Sequence, residues 1–343
     1  MTAPADVGVH ARRQARWRWS EIAFWLLALG CAFLFPSRYL IMTDIVRLGL
    51  FALSLDLILG YAGIVSLGHA AFFGVGAYSA GLLALHGIIT EPVIALVAAG
   101  LAAAALGFLT SFLVIRGVDL TRLMVTLGIA LLLEALAERF SDISGGTDGL
   151  QGIEMQPILG LFAFDMFGKA GFFYALAVLF VLFLLARRIV HSPFGLSLRA
   201  IRNNPLRASA IGIPVNRRLV AVYTVSAFYA GVAGALFTQT TALASLDVFS
   251  FERSADLMLV LVIGGTGYLY GGLIGAVVFR MLQEVFSSIT PQYWQFWIGL
   301  VLVAIVLIGR PRLHRWALWA PNLVLGQFGG RKAVVAVPES DAP

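Results

Sequence analysis

LILGYAGIVSLGHAAFFGVGAYSAGLLALHGIIT, residues 57–90, runs for 34 residues without an Asp, Glu, Lys or Arg. As one straight helix it would measure about 50 Å at ~1.5 Å per residue, against a hydrocarbon core of ~30 Å. It must break inside the membrane, and Gly60, Gly63, Gly68, Gly74, Gly76 and Gly81 supply the break points. Backbone freed at that depth is tolerated only where protein or a water-filled cavity satisfies its N–H and C=O groups. Residues 60–81 are therefore expected to line a cavity.

The rest of the chain has the same character. Of 343 residues, 60% are apolar and 12% charged, with a mean hydropathy of +0.90 and 36 glycines. About 25% charged residues is usual for a soluble domain, so a water-soluble fold is excluded. Cys31 is the lone cysteine, so no intrachain disulfide can form and packing must hold the fold. The composition predicts an all-α polytopic membrane protein of about ten membrane segments (8–10 full crossings) with glycine-broken or re-entrant helices.

Working outward, residues 1–20 form a basic N-terminus with Arg12, Arg13, Arg16 and Arg18 ahead of an apolar run from Ile22 to Phe35, which reads as a signal-anchor helix. Further spans are expected at about 44–60, 92–115, 123–140, 170–186, 219–246 and 292–309, with 257–288 supplying two more. The transmembrane domain thus covers 21–310, with an extracytoplasmic loop at 141–169 and a tail at 311–343. Residues 187–218 differ in kind, carrying Arg187, Arg188, Arg199, Arg202, Arg207, Arg217 and Arg218 between Pro193, Pro205 and Pro214. This is a structured basic loop.

The net charge is +6. In a membrane chain a basic excess first reports orientation, so no nucleic-acid partner is needed and the surrounding partner is lipid. With both termini in the cytoplasm, Arg38, Arg139, Lys169 and Arg253 fall outside and Arg47 and Arg280 in spans, leaving 18 of the 24 basic residues inside.

Charges within spans flag function because they are costly there. Asp56 and Glu134 are candidates for the translocation pathway, whereas Asp44 with Arg47, and Arg280 with Glu284, have the spacing to neutralise one another. Ser66, His69 and Tyr78 add polar groups to the glycine-broken segment. A Ser66/His69 pair could also suggest an intramembrane hydrolase, but no GxSxG form surrounds the serine and no third member is evident. Gly267, Gly271 and Gly275 form a GxxxGxxxG series suited to helix packing. No phosphate loop and no zinc spacing are present, so no catalytic, metal or cofactor site is expected and energy must come from an ion gradient or a partner. An ion-coupled secondary transporter using Asp56 or Glu134 is one reading of this set.

Tyr61-Ala62-Gly63-Ile64-Val65-Ser66-Leu67-Gly68-His69-Ala70-Ala71-Phe72-Phe73-Gly74-Val75-Gly76-Ala77-Tyr78 closely resembles the signature of the branched-chain amino acid ABC transporter permeases. Gly145-Gly146-Thr147-Asp148-Gly149-Leu150, the stretch from Ser192 to Gly212-Ile213, Gly231 to Leu236 and Ile263-Gly264-Gly265 continue the resemblance in order, and the GGTDGL loop resembles the LivM-type subunit. The resemblance implies a multi-pass inner-membrane subunit of an ATP-driven importer, itself no enzyme. Its partners would be a second, LivH-like permease, two ABC ATPase subunits and an extracytoplasmic solute-binding protein. It also implies a coupling loop to the ATPase, carried by Gly195, Arg199, Ala200, Arg202, Asn204, Arg207, Ala208 and Gly212. Branched-chain or related amino acids are the implied solutes, with urea, amides or aromatic acids as the alternative, since those importers share the signature.

Overall fold

The computed structural model describes residues 19–308 apart from positions 118, 159, 161 and 166. The basic N-terminus, but for its last two residues, and the 311–343 tail lie outside the described residues. Helices are α1 (Trp19–Leu34), α2 (Tyr39–Ala62), α3 (Ala70–Leu85), α4 (Pro92–Arg116), α5 (Asp119–Arg139), the short α6 (Ser141–Ser144), α7 (Lys169–Val190), α8 (Pro193–Asn203), α9 (Pro205–Ala210), α10 (Val215–Thr241), α11 (Phe251–Gly264), α12 (Leu269–Ile289) and α13 (Trp294–Ile308). Two compact units divide the chain at Leu282.

Among the described residues six helices are long and apolar enough to cross a membrane: α2 with the turn before it, α4, α5, α7, α10 and α12; α1, α3 and α13 are shorter apolar helices. The expected ten segments are therefore not supported. The reason is length: α3 has 16 residues and α11 has 14, about 24 and 21 Å, short of a ~30 Å core. The reading of 257–288 as two crossings thus fails at α11.

Several boundaries are written locally. Glu91 accepts the Ile94 N–H at 2.7 Å ahead of Pro92, starting α4. Ser192 and Asn204 cap α8 and α9, each followed by proline at the first helical position. Asn204 also ends α8, so the two short helices meet at one residue.

Within the first unit α10 is the hub, packing against α4, α3 and α2, while α2 also packs on α7. Burial separates centre from edge: 83% of the apolar window of α2 is buried and only 11% of that of α5. Glycine sets the spacing. A Cβ on Gly234 would overlap the Phe73 carbonyl, and one on Gly76 the Gly231 carbonyl, so α3 and α10 touch backbone to backbone. Gly74 and Gly81, read from sequence as break points with Gly76, also sit inside a continuous α3, facing Phe249 and Ile153. The break is confined to residues 63–69.

The 141–169 segment holds α6, a 3-10 turn at Gly146–Asp148 and irregular chain. Leu150 and Ala244 exchange backbone hydrogen bonds (2.8 and 3.1 Å), pinning the segment beside the end of α10. The GGTDGL loop needs its glycines because Gly145, Gly146 and Gly149 all have positive φ. In the second unit Phe286 stacks on Trp297, 6.2 Å between centroids.

Close α3–α10 packing predicts that Gly234→Val leaves no monodisperse protein on size exclusion after detergent extraction. Gly30→Ala, where a Cβ meets nothing within 4 Å, is expected to be neutral or to stabilise by up to about 1 kcal/mol in a thermal unfolding assay.

Candidate translocation and coupling site

The site is built around the break between α2 and α3. Gly63 ends α2 in the left-handed region (φ 74°), its N–H bonded to the Leu59 carbonyl at 3.2 Å, while the Ile64 N–H reaches Ile58 at 3.0 Å. Past this point the chain has no helical ladder of its own until Ala70, and other helices supply the partners. The Leu67 N–H donates to Thr126 Oγ1 of α5 (3.2 Å), and the Ala70 N–H donates to Ser254 Oγ of α11 (3.0 Å). Ser254 thus caps α3 from another helix, since His69 at the cap position makes no side-chain cap bond. Gly68 lies so close to the Thr126 carbonyl that a Cβ would overlap it.

His69 is fully buried, with Nε2 2.9 Å from Ser54 Oγ of α2 and 3.4 Å from Ser226 Oγ of α10. The Ser54 hydroxyl donates to the Phe51 carbonyl (2.6 Å) and that of Ser226 to the Ser54 carbonyl (2.5 Å). Each hydroxyl has one proton, so both are committed and His69 Nε2 is assigned as the donor, leaving Nδ1 as an acceptor. Among the described residues Nδ1, the Ser66 hydroxyl and the Tyr78 hydroxyl are buried without hydrogen-bond partners. Tyr78 stacks on Phe249, 5.4 Å between centroids. Ser66 and His69, read as neighbours on one helix face, are instead in non-helical chain, and His69 bonds Ser54 and Ser226.

Asp56, 1% exposed on α2, accepts the Gly267 N–H at 2.7 Å. Gly267 is not on a helix: it lies in the turn between α11 and α12 at φ +79°, which corrects the reading of Gly267, Gly271 and Gly275 as one helix face. Gly271 and Gly275 do lie on α12, where a Cβ would overlap the Gly265 and Val260 carbonyls. Arg202 of α8 donates to the Gly60 carbonyl near the end of α2, and its side chain also lies against Gly63 and Gly267. A cation at the carbonyl end of a helix is favourable. Arg199 lies over the Tyr61 ring, 5.4 Å from its centroid.

The basic loop therefore has two faces. Leu198, Ile201 and Ala208 are buried, Ala200 is half-buried, and Gly195 leaves no room for a Cβ beside the Val190 carbonyl at the end of α7. Arg207, Asn204 and Gly212 are exposed, as are Leu206 (82%) and Ile211 (70%). Sequence reasoning passed over Leu206 and Ile211; their signal is an apolar residue on the outer side of a short helix between arginines.

Glu134 is half-buried on the sparsely covered α5. At the other end of α2, Asp44 bridges Arg47 and Arg280, the latter at 2.7 Å, and Arg47 reaches Thr240 Oγ1 at 2.7 Å. The expected Asp44–Arg47 pair is present, and Asp44 takes Arg280 as well.

These features define a polytopic α-helical membrane protein with a broken helix at its centre and a basic loop clasped to the break. A model of the family described as branched-chain amino acid transport system / permease component matches residues 38–306. The chain belongs to that family. It is 28% identical over 284 residues to the high-affinity branched-chain amino acid transport system permease protein LivM of Escherichia coli, covering 76% of this chain and 65% of the relative, slightly under two thirds. The LivM protein of Salmonella typhimurium is 28% identical over 305 residues (82% and 71%). A ribose import permease protein of Bacillus subtilis is 30% identical over 171 residues (46% and 53%). No solved structure matches.

The trans-bonded break generates a stability prediction. Thr126→Val removes the acceptor of the half-buried Leu67 N–H and should cost about 1 kcal/mol in detergent unfolding. Thr224→Val, whose hydroxyl bonds only its own helix at Val220, should cost much less. Asp56→Ala should behave like Thr126→Val, and Asp56→Asn should recover part of the loss because its amide carbonyl still accepts from Gly267.

Proposed function

We propose that this chain is the permease subunit of an ATP-driven importer for branched-chain or related amino acids, in the bacterial inner membrane with both termini in the cytoplasm. It acts as a transport subunit, not an enzyme. It works with a second, LivH-like permease, two ABC ATPase subunits and an extracytoplasmic solute-binding protein.

The observation that carries this reading is the two-faced basic loop. Outward, Leu206 and Ile211 expose apolar side chains next to Arg207, and Leu196 on α8 is exposed as well. Apolar residues so exposed on the water side of a membrane protein are anchors for a partner. Inward, Arg202 and Arg199 touch Gly60 and Tyr61 at the end of α2. A push on α8 and α9 is thereby delivered to the Gly63–His69 break and, through Gly267, to the turn ahead of α12. Alternating access follows when ATPase closure moves this loop and α2 and α12 swing with it. The arginine count on the loop supports its cytoplasmic placement.

The second permease is assigned to α5. This helix has the apolar length of a span, exposes Met124, Leu131 and Leu132, and carries Glu134, whose charge is costly against lipid. Cover by a protein partner removes that cost and puts Glu134 on the pathway side. The amino acid substrate class rests on the family and on the LivM relatives.

In proteoliposomes holding the whole complex, Leu206→Asp should abolish solute-stimulated ATP hydrolysis by loss of ATPase co-purification. Arg202→Glu should leave the complex assembled but lower stimulation by tenfold or more, as roughly 1.4 kcal/mol of coupling would. Stimulation unchanged in both variants overturns the role of the loop. Uptake by this chain alone under a proton or sodium gradient would establish an ion-coupled carrier instead.

A further inference from the structure

Between the C-terminal end of α4 and the N-terminal end of α10 lies an open groove of about 810 Å³. The two helices run antiparallel here, so their ends match. Phe108, Phe112 and Val220 line the deeper part, and Arg116, Asn216 and Arg217 line the end beside the basic loop. Phe108 and Phe112 are about half exposed and pack edge to face at 5.1 Å, forming one apolar wall. From Phe108 to Arg116 the wall extends about 12 Å along α4 at ~1.5 Å per residue.

The charges decide what fits. Arg116 and Arg217 are exposed, and among the described residues neither makes an ion pair or a side-chain hydrogen bond. Among the described residues lining the groove none is acidic. By contrast, the larger groove among α4, α7 and α10, about 980 Å³, has Asp165 beside Lys169 and so offers no net charge to a ligand. Two free guanidinium groups at the membrane-surface end of an apolar slot match a phosphate headgroup with its acyl chain running toward the bilayer centre.

We propose that this groove is a binding site for an anionic phospholipid, with Arg116 and Arg217 on the phosphate and the Phe108/Phe112 wall along an acyl chain. The lipid ties α4 to α10 at the root of the basic loop, where movement of that loop would be felt.

The experiment uses the full-length chain, delipidated in mild detergent and equilibrated with phosphatidylglycerol or phosphatidylcholine of identical chains, with retained lipid read by native mass spectrometry. Phosphatidylglycerol should be preferred by roughly fivefold for each arginine at low salt. The Arg116→Gln/Arg217→Gln double variant should lose the preference. Equal retention of the two lipids by the wild-type chain, or an unchanged preference in the variant, overturns the site. Displacement of the lipid by soluble glycerol phosphate in excess would mean an anion site without acyl recognition, and also overturns it. A second arm needs no variant: phosphatidylglycerol with a photoreactive acyl chain, added to the assembled complex in membranes, should label the segments 108–116 and 216–224. Labelling confined to other segments, or blocked here by a partner polypeptide, counts against the proposal.

Discussion

Residues 63–69 follow the end of α2 and have no helical ladder of their own, so where they are buried from water their backbone polar groups need partners from other helices. The first unit is organised around satisfying this segment. Thr126 from α5 and Ser254 from α11 accept N–H groups at its end, while Ser54 and Ser226 hold the His69 ring. Four helices thus meet at one break through hydroxyl side chains. A hydroxyl is suited to this task because it can accept one bond while returning its own proton to a carbonyl, as Thr126 does to Leu123.

The same constraint explains how a surface loop can act on the centre of the bundle. The end of a helix presents unsatisfied carbonyls, and the terminal turn of α2 offers that of Gly60 to Arg202. A few residues earlier, Asp56 takes the Gly267 N–H. Loop, broken helix and the α11–α12 turn are therefore joined within about two turns of α2. Movement of any one loads the other two.

Glycine does two jobs here that composition alone does not separate. Gly63 and Gly267 adopt left-handed conformations and make turns, whereas Gly76, Gly234, Gly271 and Gly275 sit where two backbones come within reach and a methyl group would not fit. The stretch 57–90 was expected to break along most of its glycines. Between residues 60 and 81 it breaks once, because Gly74, Gly76 and Gly81 are matched by surfaces on α10 and its neighbours that reward a straight helix.

Composition and charge spacing by themselves determined that the chain is helical, membrane-bound and broken among the glycines of residues 60–81, and that 187–218 is a structured basic loop. These follow from local terms: apolar length, proline and glycine punctuation, and the cost of charge in lipid. Only the tertiary structure decided that Arg199 and Arg202 reach the end of α2 while Leu206 and Ile211 face out, that His69 pairs with Ser54 and Ser226 and not Ser66, and that six helices among the described residues reach spanning length. Those outcomes depend on which helix is adjacent to which, and a hydrogen bond between Asp56 and a glycine 211 positions away leaves no periodic trace in sequence.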